Sequence, residues 1–60
     1  MKIYDKVSIK EDFDKYKTGS FGIIIELYKD LCYLEMLDEN NNTIDILYDV
    51  PLSILQPITK

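Results

Sequence analysis

The sequence predicts an all-β fold, a small closed or half-closed five-stranded antiparallel barrel, on two observations. Short apolar stretches alternate with polar residues at a period of two, as strands with one buried face do. Polar turns, two glycines and two prolines separate these stretches at short intervals. With 47% hydrophobic and 30% charged residues, the chain has the composition of one folded domain, expected to span residues 1–60. Closure into a barrel removes the open edges of such apolar strands.

The first predicted strand runs from Ile3 to Ile9, and a long loop follows it. The residues expected on its inward face are Ile3, Val7 and Ile9. Residues 11–20 are polar and too poorly periodic for a helix, but Phe13 and Tyr16 lie within them. We therefore expect a loop that these two aromatic side chains hold against the barrel.

The strongest strand signal spans Phe21 to Tyr28, where β-branched residues crowd together. A two-residue turn at Lys29-Asp30 joins it to a strand from Leu31 to Leu37, although such turns favour glycine. The side chains expected to face inward are Phe21, Ile23, Ile25 and Leu27 on the first of these strands and Cys32, Leu34 and Met36 on the second. The alternate positions then form a surface that faces solvent.

The fourth predicted strand covers Thr43 to Tyr48, after a polar connection, residues 38–42, rich in asparagines that tolerate left-handed backbone. Its inward residues are expected to be Ile44, Ile46 and Tyr48. Pro51 ends this strand because it has no amide donor. A short helical turn from Pro51 to Ile54 and a closing edge strand from Leu55 to Ile58 complete the barrel.

Several short motifs follow one another along the chain: Tyr-Asp-x-Val, Gly-x-x-Gly-x-Ile, Glu with an apolar pair and Asp, Thr, and Leu-x-Pro. Their residues are Tyr4, Asp5, Val7, Gly19, Gly22, Ile24, Glu35, Met36, Leu37, Asp38, Thr43, Leu55 and Pro57. This pattern resembles a family of short bacterial proteins of unknown function, and the order of elements resembles an SH3-like barrel. Some members are encoded near toxin genes, so the resemblance implies an immunity or accessory role.

Residue types that the chain lacks remove several chemistries. Without histidine or arginine there is no imidazole base, no Ser-His or Cys-His pair and no bidentate guanidinium group. The lone Cys32 forms no internal disulfide or zinc site, so we expect a buried thiol and a reducing, cytoplasmic location. The apolar run from Ile23 to Ile25 is far shorter than the roughly 20 residues of a membrane helix. We expect no enzyme and no membrane contact.

The glycines and acidic residues also have structural explanations. Gly19 and Gly22 lack the lysine and the following helix of a phosphate-binding loop, so Gly22 is expected to permit a bulge or a close strand crossing. Residues 38–42 offer oxygen ligands without the twelve-residue spacing of a calcium loop. We therefore expect neither a metal nor a cofactor.

The solvent-facing side of the predicted strands is the candidate partner-binding site. The residues expected there are Ile24, Glu26, Tyr28, Tyr33, Glu35, Asp45 and Leu47. Tyrosines and apolar residues framed by carboxylates are typical of a surface that binds a basic protein. Two alternatives remain open: these residues cover a second small core, with Phe13 and Tyr16 as its lid, or they form a twofold homodimer.

These features favour a non-enzymatic acidic module, an inhibitor or immunity-type protein that masks a basic surface on a toxin, nuclease or similar partner. Seven lysines against eleven acids give a net charge of −4, which steers a basic partner toward the chain. A structural homodimer, an accessory subunit and a phage-encoded inhibitor remain alternatives. A nucleic-acid-binding barrel is disfavoured, because nucleic-acid affinity depends on basic residues that neutralise phosphates.

Overall fold

The computed structural model describes residues 1–58, in which five strands form one antiparallel sheet in the order β4-β3-β2-β1-β5. The elements are β1 (Lys6–Ile9), β2 (Phe21–Tyr28), β3 (Leu31–Leu37), β4 (Thr43–Pro51), a 3₁₀ turn (Leu52–Ile54) and β5 (Leu55–Pro57). The all-β class, the five antiparallel strands and the single helical turn are confirmed. β4 and β5 are the two edges and do not pair with each other in this range, so the sheet is not closed, and full closure, one of the two predicted forms of the barrel, is absent there.

β2 and β3 begin and end where the sequence predicted them. They are joined by the Lys29-Asp30 turn, in which Lys29 takes a φ of 54°. Glycine is favoured at such left-handed positions of hairpin turns, but here the residue is a lysine. β4 runs past its predicted end at Tyr48 and stops at Pro51, and β5 stops one residue before the predicted Ile58.

β1 is shorter than predicted because the chain bends before it. Tyr4 has a φ of 75°, which breaks the alternation of an extended strand. The bend still pairs with β2: the Tyr4 amide donates to the Ile24 carbonyl over 2.6 Å, and the Ile24 amide donates to the Asp5 carbonyl over 3.0 Å. The predicted inward position of Ile3 is wrong, since the bend leaves it 41% exposed.

A bulge in β2 exchanges the two faces of that strand halfway along it. The residue pairs on either side of the bulge are Ile24–Leu34 and Glu26–Tyr33. Ile25 is therefore an extra residue, and every side chain beyond it moves to the opposite face. Leu27 faces the core as predicted. The predicted inward orientation of Phe21 and Ile23 is wrong, because they precede the bulge and alternate with buried neighbours.

Two further bulges shape β4. Ile44 is the extra residue of one bulge, and in the other bulge two residues, Tyr48 and Asp49, lie opposite the single Tyr33. Between the bulges Leu47 pairs with Leu34, which places Leu47 on the core side. The predicted inward positions of Ile44, Ile46 and Tyr48 are therefore wrong, and these side chains are 53%, 39% and 60% exposed. Within residues 1–58 β4 has a neighbouring strand on one side only, because it is an edge of the sheet.

The hydrophobic core lies on one side of the sheet. Its buried residues are Val7, Ile9, Ile24, Cys32, Leu34, Met36, Leu47, Val50, Ile54 and Leu55. The 3₁₀ turn closes one end of this core, since the Lys10 amide donates to the Ile54 carbonyl over 2.6 Å and the Leu52 amide donates to the Asp30 carbonyl over 2.8 Å. Among residues 1–58 no polar or charged side chain is buried, so the core is held by apolar packing.

The long loop between β1 and β2 is held by its aromatic residues, as predicted. Phe13 and Tyr16 exchange two backbone hydrogen bonds of 2.9 Å, and both side chains pack against the core. The Asp12 carboxylate accepts a hydrogen bond of 2.8 Å from the Thr18 amide, which closes the loop at its base. The loop therefore covers the core side and leaves the other side of the sheet uncovered.

Candidate partner-binding face

The side of the sheet away from the core, here called the outer face, collects four of the seven residues predicted to bind a partner. The four are Glu26, Tyr28, Tyr33 and Glu35. Tyr33 and Glu35 alternate along β3 with fully buried residues, so their side chains leave the opposite side of the sheet. Glu26 pairs with Tyr33 and therefore shares its face. A lid made by Phe13 and Tyr16 is excluded here, because both pack on the core side.

Ile24 and Leu47 do not belong to the outer face, and the prediction that they face solvent is wrong. Ile24 is 0% exposed and Leu47 is 4% exposed, and both are part of the core cluster. Ile24 precedes the β2 bulge and so faces away from Glu26. Leu47 pairs with a buried leucine between the two bulges of β4.

Asp45 also lies away from the outer face, in contrast to the prediction. It pairs with the buried Met36, which places it on the core side at the rim of the sheet. Its carboxylate accepts hydrogen bonds from the Ile46 amide at 2.8 Å and from the Tyr16 hydroxyl at 3.1 Å, and lies 3.3 Å from the Lys15 ammonium. These three donors, the Ile46 amide first, hold the pKa of Asp45 below its ordinary value of 3.8. Asp45 therefore anchors the long loop.

Three tyrosines from three adjacent strands meet on the outer face and form what we call the tyrosine cluster: Tyr28, Tyr33 and Tyr48. The ring centroids of Tyr28 and Tyr33 are 5.5 Å apart with planes at 85°, and those of Tyr33 and Tyr48 are 4.8 Å apart at 77°. Both contacts have the edge-to-face geometry that aromatic quadrupoles favour. Tyr33 is half-buried between its neighbours, whereas Tyr48 stays 60% exposed.

Carboxylates border the tyrosine cluster. The Tyr28 hydroxyl donates a hydrogen bond to Asp49, and this bond, followed by desolvation, raises the pKa of Tyr28 well above its ordinary value of 10.0. Tyr28 therefore remains protonated at neutral pH. Glu35 accepts a hydrogen bond of 2.6 Å from the Thr43 hydroxyl, and Glu26 lies opposite Tyr33 in register. The outer face thus combines exposed aromatic surface with negative charge.

Sequence reasoning missed Tyr48, the most exposed member of the cluster, because strict alternation assigned it to the core. It also missed Ile46, which pairs with Glu35 and is 39% exposed. The apolar Leu47, expected outside, is the one sequence signal that the two faces of β4 are exchanged. The bulge itself leaves no such signal, because Asp49 adopts its φ of 56° without a glycine.

Cys32 and Gly22 have the structural roles that the sequence predicted. Cys32 is 0% exposed, and burial raises the pKa of its thiol to about 11, so the thiolate that reacts with electrophiles is suppressed. A Cβ on Gly22 would lie 2.6 Å from the Glu35 carbonyl oxygen, far inside van der Waals contact. Gly22 therefore permits the close crossing of β2 and β3.

Comparisons with protein-family models, with curated proteins and with solved structures find no match to this chain. The resemblance to short bacterial SH3-like proteins therefore stays a prediction. Within residues 1–58 there is no pocket and no group of three or more His, Cys, Asp or Glu side chains that could hold a metal ion. No helix in that part of the chain is long and apolar enough to cross a membrane.

Proposed function

We propose that this chain is an acidic protein-binding module of the inhibitor or immunity type, which uses its outer face to mask a basic surface on a toxin, nuclease or similar partner. The observation that carries the proposal is the tyrosine cluster, exposed on an uncovered sheet face and bordered by carboxylates. We include in the proposal a cytoplasmic location and a role without catalysis.

The chemistry of the outer face supports a macromolecular partner. Tyrosine presents a large, rigid ring with a polar tip, and it is enriched among the residues that carry most of the binding energy at interfaces. Tyr33 is already held by two ring contacts, so little side-chain freedom is lost when a partner covers it.

Charge complementarity selects the kind of partner. The net charge of −4 attracts a basic protein over a Debye length, and the carboxylates of Glu26, Glu35 and Asp49 supply negative charge beside the rings. A basic partner therefore meets attraction at long range and aromatic contact at short range. This combination accelerates association through the charges and slows dissociation through the rings.

The SH3-like barrel is part of the proposal. The sheet order β4-β3-β2-β1-β5 supports it, because the chain runs as a meander through β4 and then returns to pair beside β1. The 3₁₀ turn between β4 and β5, and the long loop between β1 and β2, are further features in its favour.

Binding to the partner can be tested with matched tyrosine variants. Tyr48→Ala removes an exposed ring from the cluster, and Tyr4→Ala removes a ring that is 78% exposed and lies outside both aromatic pairs. Wild type, coupled to a resin, should capture a basic protein from the cells that make the chain. We expect Tyr48→Ala to weaken that complex at least about tenfold and Tyr4→Ala to leave it unchanged.

Salt dependence completes the test of the proposed function. The affinity of the captured protein should fall as ionic strength rises, because screening weakens the long-range attraction. An affinity that rises with salt, or a complex that Tyr48→Ala leaves intact, would show that the outer face does not bind the partner as proposed.

A homodimer is a second candidate function, favoured by the exposure of apolar residues on the edge strand β4. Ile44 and Ile46 are 53% and 39% exposed there. Edge strands pair readily with a second chain, and β4 is the longer of the two edges. However, the two bulges and the carboxylate of Asp45 on the Ile46 amide oppose regular pairing. Sedimentation equilibrium at high protein concentration decides: a strict monomer eliminates the homodimer.

A further inference from the structure

Within residues 1–58 two lysines lie over aromatic rings, and neither ring belongs to the tyrosine cluster. Lys6 lies 4.8 Å from the centroid of Phe21, and Lys15 lies 5.9 Å from the centroid of Tyr16. These are the cation–ring contacts within residues 1–58, and neither involves Tyr28, Tyr33 or Tyr48. The negative ring faces of the cluster are therefore available to a cation from outside.

The ring–ring contacts of the cluster use only some of its ring faces. In an edge-to-face pair one ring contributes its edge and the other its face. The two contacts of the cluster therefore use two of the six ring faces among Tyr28, Tyr33 and Tyr48. Tyr48 lies on the edge strand and is 60% exposed, so a partner side chain can reach it from solvent.

Carboxylates lie beside the rings, within reach of the charged end of a partner side chain that contacts the tyrosine cluster. Asp49 contacts the Tyr28 hydroxyl through Oδ1, and Glu26 lies opposite Tyr33. Within the described residues Glu26 has no ion pair with a lysine of the chain, since the two ion pairs there involve Asp45 and Asp12. A cation on the cluster thus meets ring faces and carboxylates together.

We propose that the tyrosine cluster is the seat of an arginine side chain of the partner, with the guanidinium plane stacked on the ring of Tyr48 and its N–H groups donating to the bordering carboxylates. This inference rests on the proposed function and names the group of the partner that the outer face recognises. The site selects arginine over lysine because a guanidinium is planar, weakly hydrated and able to stack and donate at once. An ammonium keeps its strong hydration and cannot stack.

The preference can be measured without knowing the partner. The probes are two short peptides of equal length and charge in a Gly-Ser background, one with arginines and one with lysines at the same positions. Titration of the wild type is followed through the ring-proton NMR signals of the tyrosines. We expect the arginine peptide to bind about two- to fivefold more tightly than the lysine peptide, the range that an exposed cation–ring contact supplies.

Three variants assign the preference to the cluster. Tyr48→Leu keeps an apolar side chain but removes the ring, and should bind both peptides equally. Tyr48→Phe keeps the ring and should retain the preference for arginine. Tyr4→Leu, which alters an exposed tyrosine outside both ring pairs, should behave as wild type. The dispersion of the amide NMR spectrum verifies that each variant is folded.

The outcomes separate this inference from the proposed function. Equal, salt-sensitive binding of both peptides by the wild type overturns the arginine seat and leaves the acidic binding face intact. A preference that survives in Tyr48→Leu also overturns it, since the ring is then not responsible. If neither peptide binds, both the arginine seat and the attraction of basic partners to the outer face are rejected.

Discussion

Asp45 on the edge strand β4 accepts a hydrogen bond of 3.1 Å from the hydroxyl of Tyr16, which lies in the long loop 29 residues earlier in the chain. The same carboxylate lies 3.3 Å from Lys15 and accepts the Ile46 amide. The Asp45 side chain thus holds the loop at the rim of the sheet and accepts a hydrogen bond from an amide of the edge strand. The outer face and its tyrosine cluster lie on the opposite side of the sheet, away from these contacts of Asp45.

Asp45→Asn is expected to reduce the free energy of unfolding in a pH-dependent way. The folded-state pKa of Asp45 is held below 3.8, so the carboxylate stabilises the fold above that pH and loses this effect as pH falls through its lowered pKa. The difference between wild type and Asp45→Asn should be largest at neutral pH and shrink below about pH 4. Urea unfolding at several pH values measures it.

Glu39→Gln is the control for that experiment, because Glu39 is exposed on the turn between β3 and β4. It should leave stability unchanged at each pH. A difference between wild type and Asp45→Asn that stays constant from neutral to acidic pH would contradict the role of the Asp45 charge.

Lys29→Gly is expected to stabilise the protein. Lys29 has a φ of 54° in the turn between β2 and β3, a conformation that is strained for a side chain with a Cβ and free for glycine. Relief of that strain should raise the free energy of unfolding by about 0.5–1 kcal/mol. Lys17→Gly is the control, since Lys17 lies on the long loop without a positive φ. Equal effects of both changes would refute the strain at Lys29.

Gly22→Ala is expected to destabilise the sheet by about 1–3 kcal/mol, the range for added volume in a packed interior. Its Cβ would lie 2.6 Å from the Glu35 carbonyl oxygen, a backbone atom that cannot rotate away. Gly19→Ala meets no atom within 4 Å and is penalised only by its φ of 97°, at about 1 kcal/mol. Denaturant midpoints compare the two, and a smaller loss for Gly22→Ala would show that the strands can separate.

Cys32 should make the protein less stable in alkaline solution. The thiol ionises near its ordinary value of 9.0 in the unfolded chain, whereas burial holds its folded-state pKa at about 11. Rising pH between these values therefore favours the unfolded chain. Cys32→Ala lacks this contribution, while every other side chain is common to both proteins. Unfolding measured from pH 8 to pH 11 should show a steeper decline for wild type; parallel curves would contradict it.

Of the five strands, β3 was the most predictable part of the fold. β3 lies between β2 and β4, and its inward residues Cys32, Leu34 and Met36 are all 0% exposed as expected. Alternation holds there because the core constrains the whole length of one face. The same reasoning placed Tyr33 and Glu35 correctly on the outer face. Of the seven residues predicted to face solvent, these two and Glu26 and Tyr28 of β2 lie on the outer face.

Alternation failed wherever a bulge intervened. Both β2 and β4 have one extra residue opposite Tyr33, at Ile25 in β2 and within the pair Tyr48 and Asp49 in β4, and each shift reverses the faces that follow. Whether a bulge with an extra residue forms in a strand depends on the neighbouring strands and on how their side chains fill the core. Ile24 and Tyr48 therefore exchanged their expected roles, and the tyrosine cluster could not be read from spacing alone.

Composition and local pattern were enough to establish an acidic all-β chain, the bounds of its two central strands and an aromatic-held loop. These properties depend on neighbouring residues, which sequence displays directly. The side of the sheet on which each edge residue lies, the meeting of Tyr28, Tyr33 and Tyr48, and the openness of the sheet were decided only by tertiary structure. They depend on registers between distant segments, which are set by the packing of the assembled core.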